Sequence, residues 1–377
     1  MKKILVLILI TCVSAFIFAE NIEALISLDS SLYSQIENLY EIEGQVMPLS
    51  LYPWTKAEAK GFLDSLETKT PLGFYLKGKI LDNLNLKDNI YVGAGIVANT
   101  EILFHTNSDN LNNSKDYIAN LNKPVFDLIF DFGYKENFSF LVDFSGGLVS
   151  SKAQKINSTT SSELRYNKMF ATNIPFLSEG SFDLNMPNRS YVLLNYSPVR
   201  FVLGRDKLKL GNGLMGNMVL GNQAPYHDYF SLSFISKNFS YQMLVSVFAH
   251  SNNLNTTDDR SPLLNSNRLF TNHRFEGHFF NNKLMVALND ALMYQSENGY
   301  LDFRVFLPMQ FMHNFYIAGN SNSFLSLEIE YAISKNLLLY AQIGVDDLAV
   351  PGEPQAGDKN ASVDGYGFQF GMKLSIP

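Results

Sequence analysis

The feature that most constrains this chain is an alternation with a period of two that begins near residue 89 and runs to the C-terminal end. Phe126, Leu128, Phe130, Phe132 and Tyr134 alternate with Val125, Asp127, Ile129, Asp131 and Gly133. After Lys135-Glu136-Asn137 the pattern resumes, with Phe138, Phe140, Val142 and Phe144 against Ser139, Leu141, Asp143 and Ser145, so the two runs predict a hairpin. In SLEIEYAI, residues 326–333, Leu327, Ile329, Tyr331 and Ile333 share one side and Ser326, Glu328 and Glu330 the other. A strand sends successive side chains to opposite faces, so such a wall meets an apolar medium on one side and neighbouring carboxylates on the other. The same spacing predicts strands over 301–309 and 366–376.

Two architectures carry this period. In a soluble sandwich the apolar face is the core; in an outer-membrane barrel it meets lipid and the polar face lines the lumen. Connection lengths separate them. Short links recur at Lys135 to Asn137, Lys237-Asn238, Asn281-Asn282 and Ser334-Lys335-Asn336, and between them lie long polar insertions at 107–122, 152–167, 251–267 and 350–363. That asymmetry suits periplasmic turns and outward loops, and the strands have the length a tilted membrane crossing needs. The expected fold is an all-β transmembrane barrel of about 14 to 18 antiparallel strands with a small N-terminal α-helical periplasmic segment. Glu328 and Glu330 then face the lumen, because a charge on the lipid side costs up to about 2 to 4 kcal/mol near the midplane.

The N-terminal stretch differs. Lys2 and Lys3 precede an apolar run that ends near Phe18-Ala19, the pattern of a secretory signal peptide. The only cysteine, Cys12, lies within it; Val13 to Phe18 stay mostly apolar, which argues against lipidation there, and cleavage after Ala19 leaves no thiol for a disulfide. Beyond it no run of 18 apolar residues predicts a membrane-crossing helix. Residues 20–88 are expected to be helical: Leu32, Ile36, Leu39 and Tyr40 follow helical spacing, Gly44 ends it, and Thr55 with Glu58 has the spacing of a capping box. The organisation expected is signal peptide over 1–19, helical periplasmic segment over 20–88 and outer-membrane barrel over 89–377.

Charge excludes one partner class. With Lys2 and Lys3 set aside, 27 basic residues face 36 acidic ones, a formal charge of −9, which disfavours nucleic acid. No cofactor or metal motif stands out. The six histidines show no HExxH spacing, no GxSxG elbow occurs, and Asp346, Asp347 and Asp364 read as solvated carboxylates more readily than as a calcium site. A Ser246 and His250 pair is the one hydrolytic arrangement to check. Trp54 is expected to pack within the helical unit.

The most distinctive passage is FVLGRDKLKLGNGLMGNMVLGNQAPYHDY, residues 201–229. Strand spacing puts Arg205, Lys207 and Lys209 on one face, expected to be the lumen, where they either neutralise Asp127, Asp131, Asp143, Glu328 and Glu330 or grip an acidic glycan. The glycines lack the Gly-Lys-Ser/Thr ending of a phosphate loop and mark bends or close backbone approach instead.

Within this passage GRDKLKLGNGLMGNMVLGNQAP resembles the central signature of the capsule-assembly, Wzi-like outer-membrane barrel family, through Gly204-Arg205, Gly211, Gly213, Asn217 to Leu220, Asn222, Ala224 and Pro225. PWTKAEAKGFL at 53–63 is similar to that family's N-terminal helical segment, and residues 320–348 are similar to its late hairpin. The resemblance implies an outer-membrane location, outer-membrane lipid and surface polysaccharide as partners, and a lectin-like, non-enzymatic role in capsule or surface polysaccharide assembly. Arg205, Asp206, Lys207, Lys209, Asn212 and Asn222 are the candidate glycan-binding or lumen residues. The alternative is a porin or substrate-specific channel, in which the same charges line a permeation path.

Overall fold

The computed structural model describes residues 24–84, 90–98, 126–135, 137–147, 183–214, 216–224, 226–248, 268–296, 301–317, 320–346 and 365–375. The expected signal peptide and the long insertions at 107–122, 152–167, 251–267 and 350–363 lie outside them.

Three helices open the described chain: α1 (Leu32–Glu43), α2 (Lys56–Ser65) and α3 (Pro71–Leu84). Ile36, Leu39 and Tyr40 of α1 are buried, as their spacing requires. Gly44 closes that helix in the left-handed conformation at φ +73, and a side chain there would put its Cβ 3.1 Å from the backbone nitrogen of Lys335. The capping box at α2 is complete: the Glu58 amide donates to the Thr55 hydroxyl at 3.0 Å and the Thr55 amide to the Glu58 carboxylate at 2.7 Å. Trp54 is fully buried and stacks on Tyr52, with centroids 4.8 Å apart. Pro71 occupies the first position of α3, where its missing N–H is no loss.

The remainder is one antiparallel sheet of twelve strands: β2 (Ile90–Ala98), β3 (Phe126–Tyr134), β4 (Phe138–Gly147), β5 (Asp183–Tyr196), β6 (Val199–Asp206), β8 (His227–Ile235), β9 (Phe239–Phe248), β10 (Arg268–Phe279), β11 (Leu284–Gln295), β12 (Asn320–Ser334), β13 (Leu337–Asp346) and β14 (Gly365–Leu374). Each pairs with its neighbour in chain order, and β2 and β14 are the edges, with no pairing between them among the described residues. Two further two-residue strands, β1 (Leu51–Tyr52) and β7 (Lys209–Leu210), pair only with each other. The described residues thus hold twelve strands in the wall and two in this inner pair, fourteen together, against the expected 14 to 18.

The wall has polar residues inside and apolar residues outside. Ser326, Glu328, Glu330 and Ala332 of β12 are buried, while Tyr331 and Ile333 are exposed on the other face. Phe368, Phe370 and Met372 of β14 continue that outer apolar face. Among the described residues no helix is long and apolar enough to cross a membrane. The short turns gather at the end held by the helical unit, where the Val46 amide donates to the Asn282 carbonyl and the Asn336 amide to the Glu41 carbonyl, each within 2.9 Å.

One predicted strand is absent. Residues 301–309 do not join the sheet; Phe303–Phe306 and Gln310–Phe315 form 3₁₀ turns instead. The alternation there had Phe306 and Pro308 on its supposedly polar side. Pro308 has no N–H for a ladder, and Asp302 caps the first turn by accepting from the Arg304 amide at 3.0 Å.

Candidate functional site

Between the wall and the helical unit two chain segments enter the interior and meet as β1 and β7. Leu51 pairs with Leu210, Leu210 also bridges to Leu220, and the Gly211 amide donates to the Ser50 carbonyl at 3.0 Å. Gly211 lies at φ +92, and a Cβ there would stand 2.6 Å from a Glu328 oxygen, so the segment passes the wall at a distance only glycine allows.

Beside this pair lies a dry ionic network. Arg274, with no exposed surface, grips Glu328 with two nitrogens at 2.8 and 3.0 Å and reaches Glu276 at 3.1 Å. Asn289 donates to Glu328 at 2.8 Å, and His278 meets Glu276 at 2.9 Å. Ser50 enters from the N-terminal segment: its amide donates to Glu276 at 3.0 Å and its hydroxyl joins Glu276 and Arg274. Buried charges need such complete pairing, because removing one partner strands the others. A second cluster runs from the Tyr52 hydroxyl to the Asn212 side chain and from the Asn212 amide to Glu330 at 2.9 Å, with Lys373 3.9 Å from both Glu330 and Glu41.

The helical unit is tied to the wall by charges. Arg200, nearly fully buried, donates to both oxygens of Glu58 at 2.7 and 2.6 Å. Arg189 bridges Asp206, at 2.9 Å, and the Leu25 carbonyl, at 2.6 Å. Lys56 of α2 is buried too, and burial pulls its ammonium down to about 8 against the opposing pull of Asp131. Burial pushes the Tyr33 phenol up in the same unit.

The structure redistributes the residues the sequence put together. Arg205, Lys207 and Lys209 do not share a lumen face. Val202 and Asp206 point inward with His227 and Tyr229, so Arg205 points outward, where it makes a two-point pair with Asp228 at 2.6 and 2.8 Å and lies over the Tyr226 ring at 4.3 Å. At the strand's end a charge neutralised this way is tolerated outside. β6 stops at Asp206, so Lys207 turns away to the exposed Asp29 and Lys209 lies over the Tyr52 ring at 4.7 Å. Asp206 and Asn212 do lie in the interior; Asn222 is exposed. Glu328 finds Arg274, a cation that strand periodicity places inward but that sequence alone cannot match to a partner two strands away.

Ser246 meets the His227 ring at 3.2 Å, with both buried, while His250 lies outside the described residues. No cluster of three metal-ligating side chains occurs among the described residues, and Asp346 accepts from the Asn322 amide at 2.9 Å. That pair stands at the rim of a cavity of about 380 Å³ above the ionic network, walled by Met218, Leu220, Phe270, Ala291 and Phe324.

No family model matches the sequence, and no curated protein matches it. Among solved structures the fold is similar to that of Wzi, described as an outer membrane protein involved in group 1 capsule assembly in Escherichia coli and a carbohydrate-binding β-barrel, with 13% identity and a TM-score of 0.52. The likeness covers 91% of this chain and 66% of that one, so the chain spans just under two thirds of its length. OmpT, an outer membrane protein of Vibrio cholerae, matches at 11% identity over 76% of this chain and 99% of its own in the in-vitro folded trimer, with a TM-score of 0.27. Its loop-deletion mutant matches at 11% identity over 69% and 94%, with a TM-score of 0.24. The antiparallel wall, its polar inside and apolar outside, and the likeness to Wzi together give this chain the fold of an outer-membrane β-barrel with a helical N-terminal segment.

Proposed function

We propose that this barrel is a non-catalytic holder of surface polysaccharide at the outer membrane. The observation that carries the reading is the inner strand pair with its buried charges inside the wall. A conducting pore needs a continuous polar path, whereas here Ser50, Arg274, Glu276 and Glu328 are fully or almost fully buried around an inner strand pair anchored to the helical unit. A barrel stopped in this way works through its outward rim. The rim cavity supplies apolar ring faces from Phe270 and Phe324 next to the Asn322–Asp346 pair, a combination that suits a sugar ring with one apolar face and several hydroxyls. The insertions at 107–122 and 251–267 are rich in Asn and Ser or Thr, residue types that hydrogen-bond sugar hydroxyls. The non-catalytic part is supported by the burial of Ser246 and His227, which leaves that pair out of reach of a polymer.

The test is the ratio of cell-bound to released polysaccharide in a strain lacking the gene, with and without an intact copy. A shift to released polymer that the intact copy reverses is expected. An unchanged ratio, together with ion conductance of the purified barrel in a planar bilayer, would replace this reading with the channel.

A further inference from the structure

On β8 to β12 the inside-out rule breaks in one half of the wall. In the half of β10 and β11 near the short turn, outward residues such as Phe279 and Leu288 are exposed, as lipid-facing residues should be. In the other half, outward Leu269, Thr271 and His273 of β10 and Asp290, Leu292 and Tyr294 of β11 are all buried. What covers them is the segment 301–317, whose Val305 and Ile317 pack with Val245, Leu269, Leu292 and Tyr294 in a hydrophobic cluster separate from the lumen contents. Residues 301–317, between β11 and β12, therefore lie against the outside of the wall as a strap.

An irregular segment on the outer wall of a membrane barrel meets a severe requirement: its backbone polar groups have no water to turn to. This strap meets it from within. The outward Asp290 carboxylate accepts three amides, from Met309 at 2.6 Å, Gln310 at 2.7 Å and Phe311 at 3.0 Å. The Gln310 side chain donates to the carbonyls of Val305, at 2.7 Å, and Leu307, and the Tyr316 hydroxyl donates to the Met309 carbonyl at 2.9 Å. The side turned away from the barrel is apolar: Phe303 is 75% exposed, Leu307 54%, Met309 51% and Phe315 42%. That surface continues the outer apolar face of the neighbouring strands.

We propose that the strap 301–317 is embedded in the outer leaflet, with Phe303, Leu307, Met309 and Phe315 in contact with lipid acyl chains and Asp290 serving as the internal cap that lets irregular backbone lie there. The paired Arg304 and Asp302, with 52% of the arginine side chain exposed, mark the level where the strap reaches the head groups. The inference rests on the barrel fold and is independent of the polysaccharide reading.

The experiment uses the full barrel reconstituted in phosphatidylcholine vesicles, with Cys12→Ser and one fluorophore-labelled cysteine at Leu307 or Phe315. Tyr331→Cys on the outer wall and Asn222→Cys at the aqueous end serve as references. Spin-labelled acyl chains are expected to quench Leu307 and Phe315 as they quench Tyr331, and aqueous iodide is expected to quench them at least an order of magnitude less than Asn222. Iodide quenching at the level of Asn222 would overturn the proposal by placing the strap in water. Protection from both quenchers would overturn it as well, by placing a second protein on this face. Adding Asp290→Ala should move the Leu307 label from lipid to iodide access while the barrel keeps its heat-dependent gel mobility; a label unmoved in a folded Asp290→Ala barrel would remove Asp290 as the cap.

Discussion

Arg274 and Asp290 lie at almost the same height on adjacent strands, since Arg274 pairs in register with Asn289, yet they face opposite sides of one wall. Arg274 looks into the lumen and is satisfied by other charges, Glu276 and Glu328. Asp290 looks outward and is satisfied by three backbone amides. The lumen thus resolves a buried charge by bringing together side chains from strands and plug, whereas the outer face resolves one by folding a piece of chain over it. The first solution ties the whole barrel together, and the second ties down one segment.

Substitutions should separate the two. Arg274→Ala strands two carboxylates in a dry interior and is expected to cost the whole barrel about 3–5 kcal/mol, read as a lowered urea midpoint in detergent micelles. If the barrel unfolds at the wild-type midpoint, the lumen network is not what joins wall and plug. Arg200→Ala, which leaves Glu58 unpaired beneath the helical unit, should loosen that unit by roughly 2–4 kcal/mol and expose α1 and α2 to protease before the sheet unfolds. In Asp290→Ala each amide left without an acceptor costs about 1–3 kcal/mol, but the loss should be confined to residues 301–317, seen as rapid hydrogen exchange there against unchanged exchange in β12.

Lys56 gives a smaller effect with a defined sign. Its folded value of about 8 lies below the ordinary 10.5, so the charged form opposes docking of the helical unit at lower pH. Docking should therefore strengthen as pH rises from about 8 towards 10.5, and Lys56→Met should abolish that slope in a pH series of protease protection. Lys207→Ala should change least: its bond to Asp29 is solvent-exposed, and such pairs contribute at most about 1 kcal/mol. A large loss in that variant would mean that the segment after β6 is held by its charge and not by β7.

Much of this organisation was legible in the residues. The alternation at 326–333 placed Glu328 and Glu330 inside, and Thr55 with Glu58 announced the capping box that the structure completes. Partner choice was not legible. Ser50 carries no local signal for Arg274 and Glu276, because their meeting depends on where the plug enters the barrel. The strap is hidden for a related reason: period two at 301–309 does not exclude 3₁₀ turns, and what decides for them is the Asp302 cap, Pro308 and the distant Asp290 that gathers their amides. Arg205 fell on the wrong face because the rule against outward charge holds near the midplane and relaxes towards strand ends.

The inner strand pair also bears on how the molecule is put together. Ser50 meets residues 224 and 226 positions further along the chain, and Leu25 meets Tyr191, 166 positions away. Contacts of such span form late, because the intervening chain must first be brought to order. The segment that carries Leu25 and Ser50 is thus among the last to find its place. Leu51 and Trp54 cluster with Tyr191, Val202, Leu244 and Phe270 of the wall, so they have nothing to rest on until those strands are in place, and stopper and vessel are completed together.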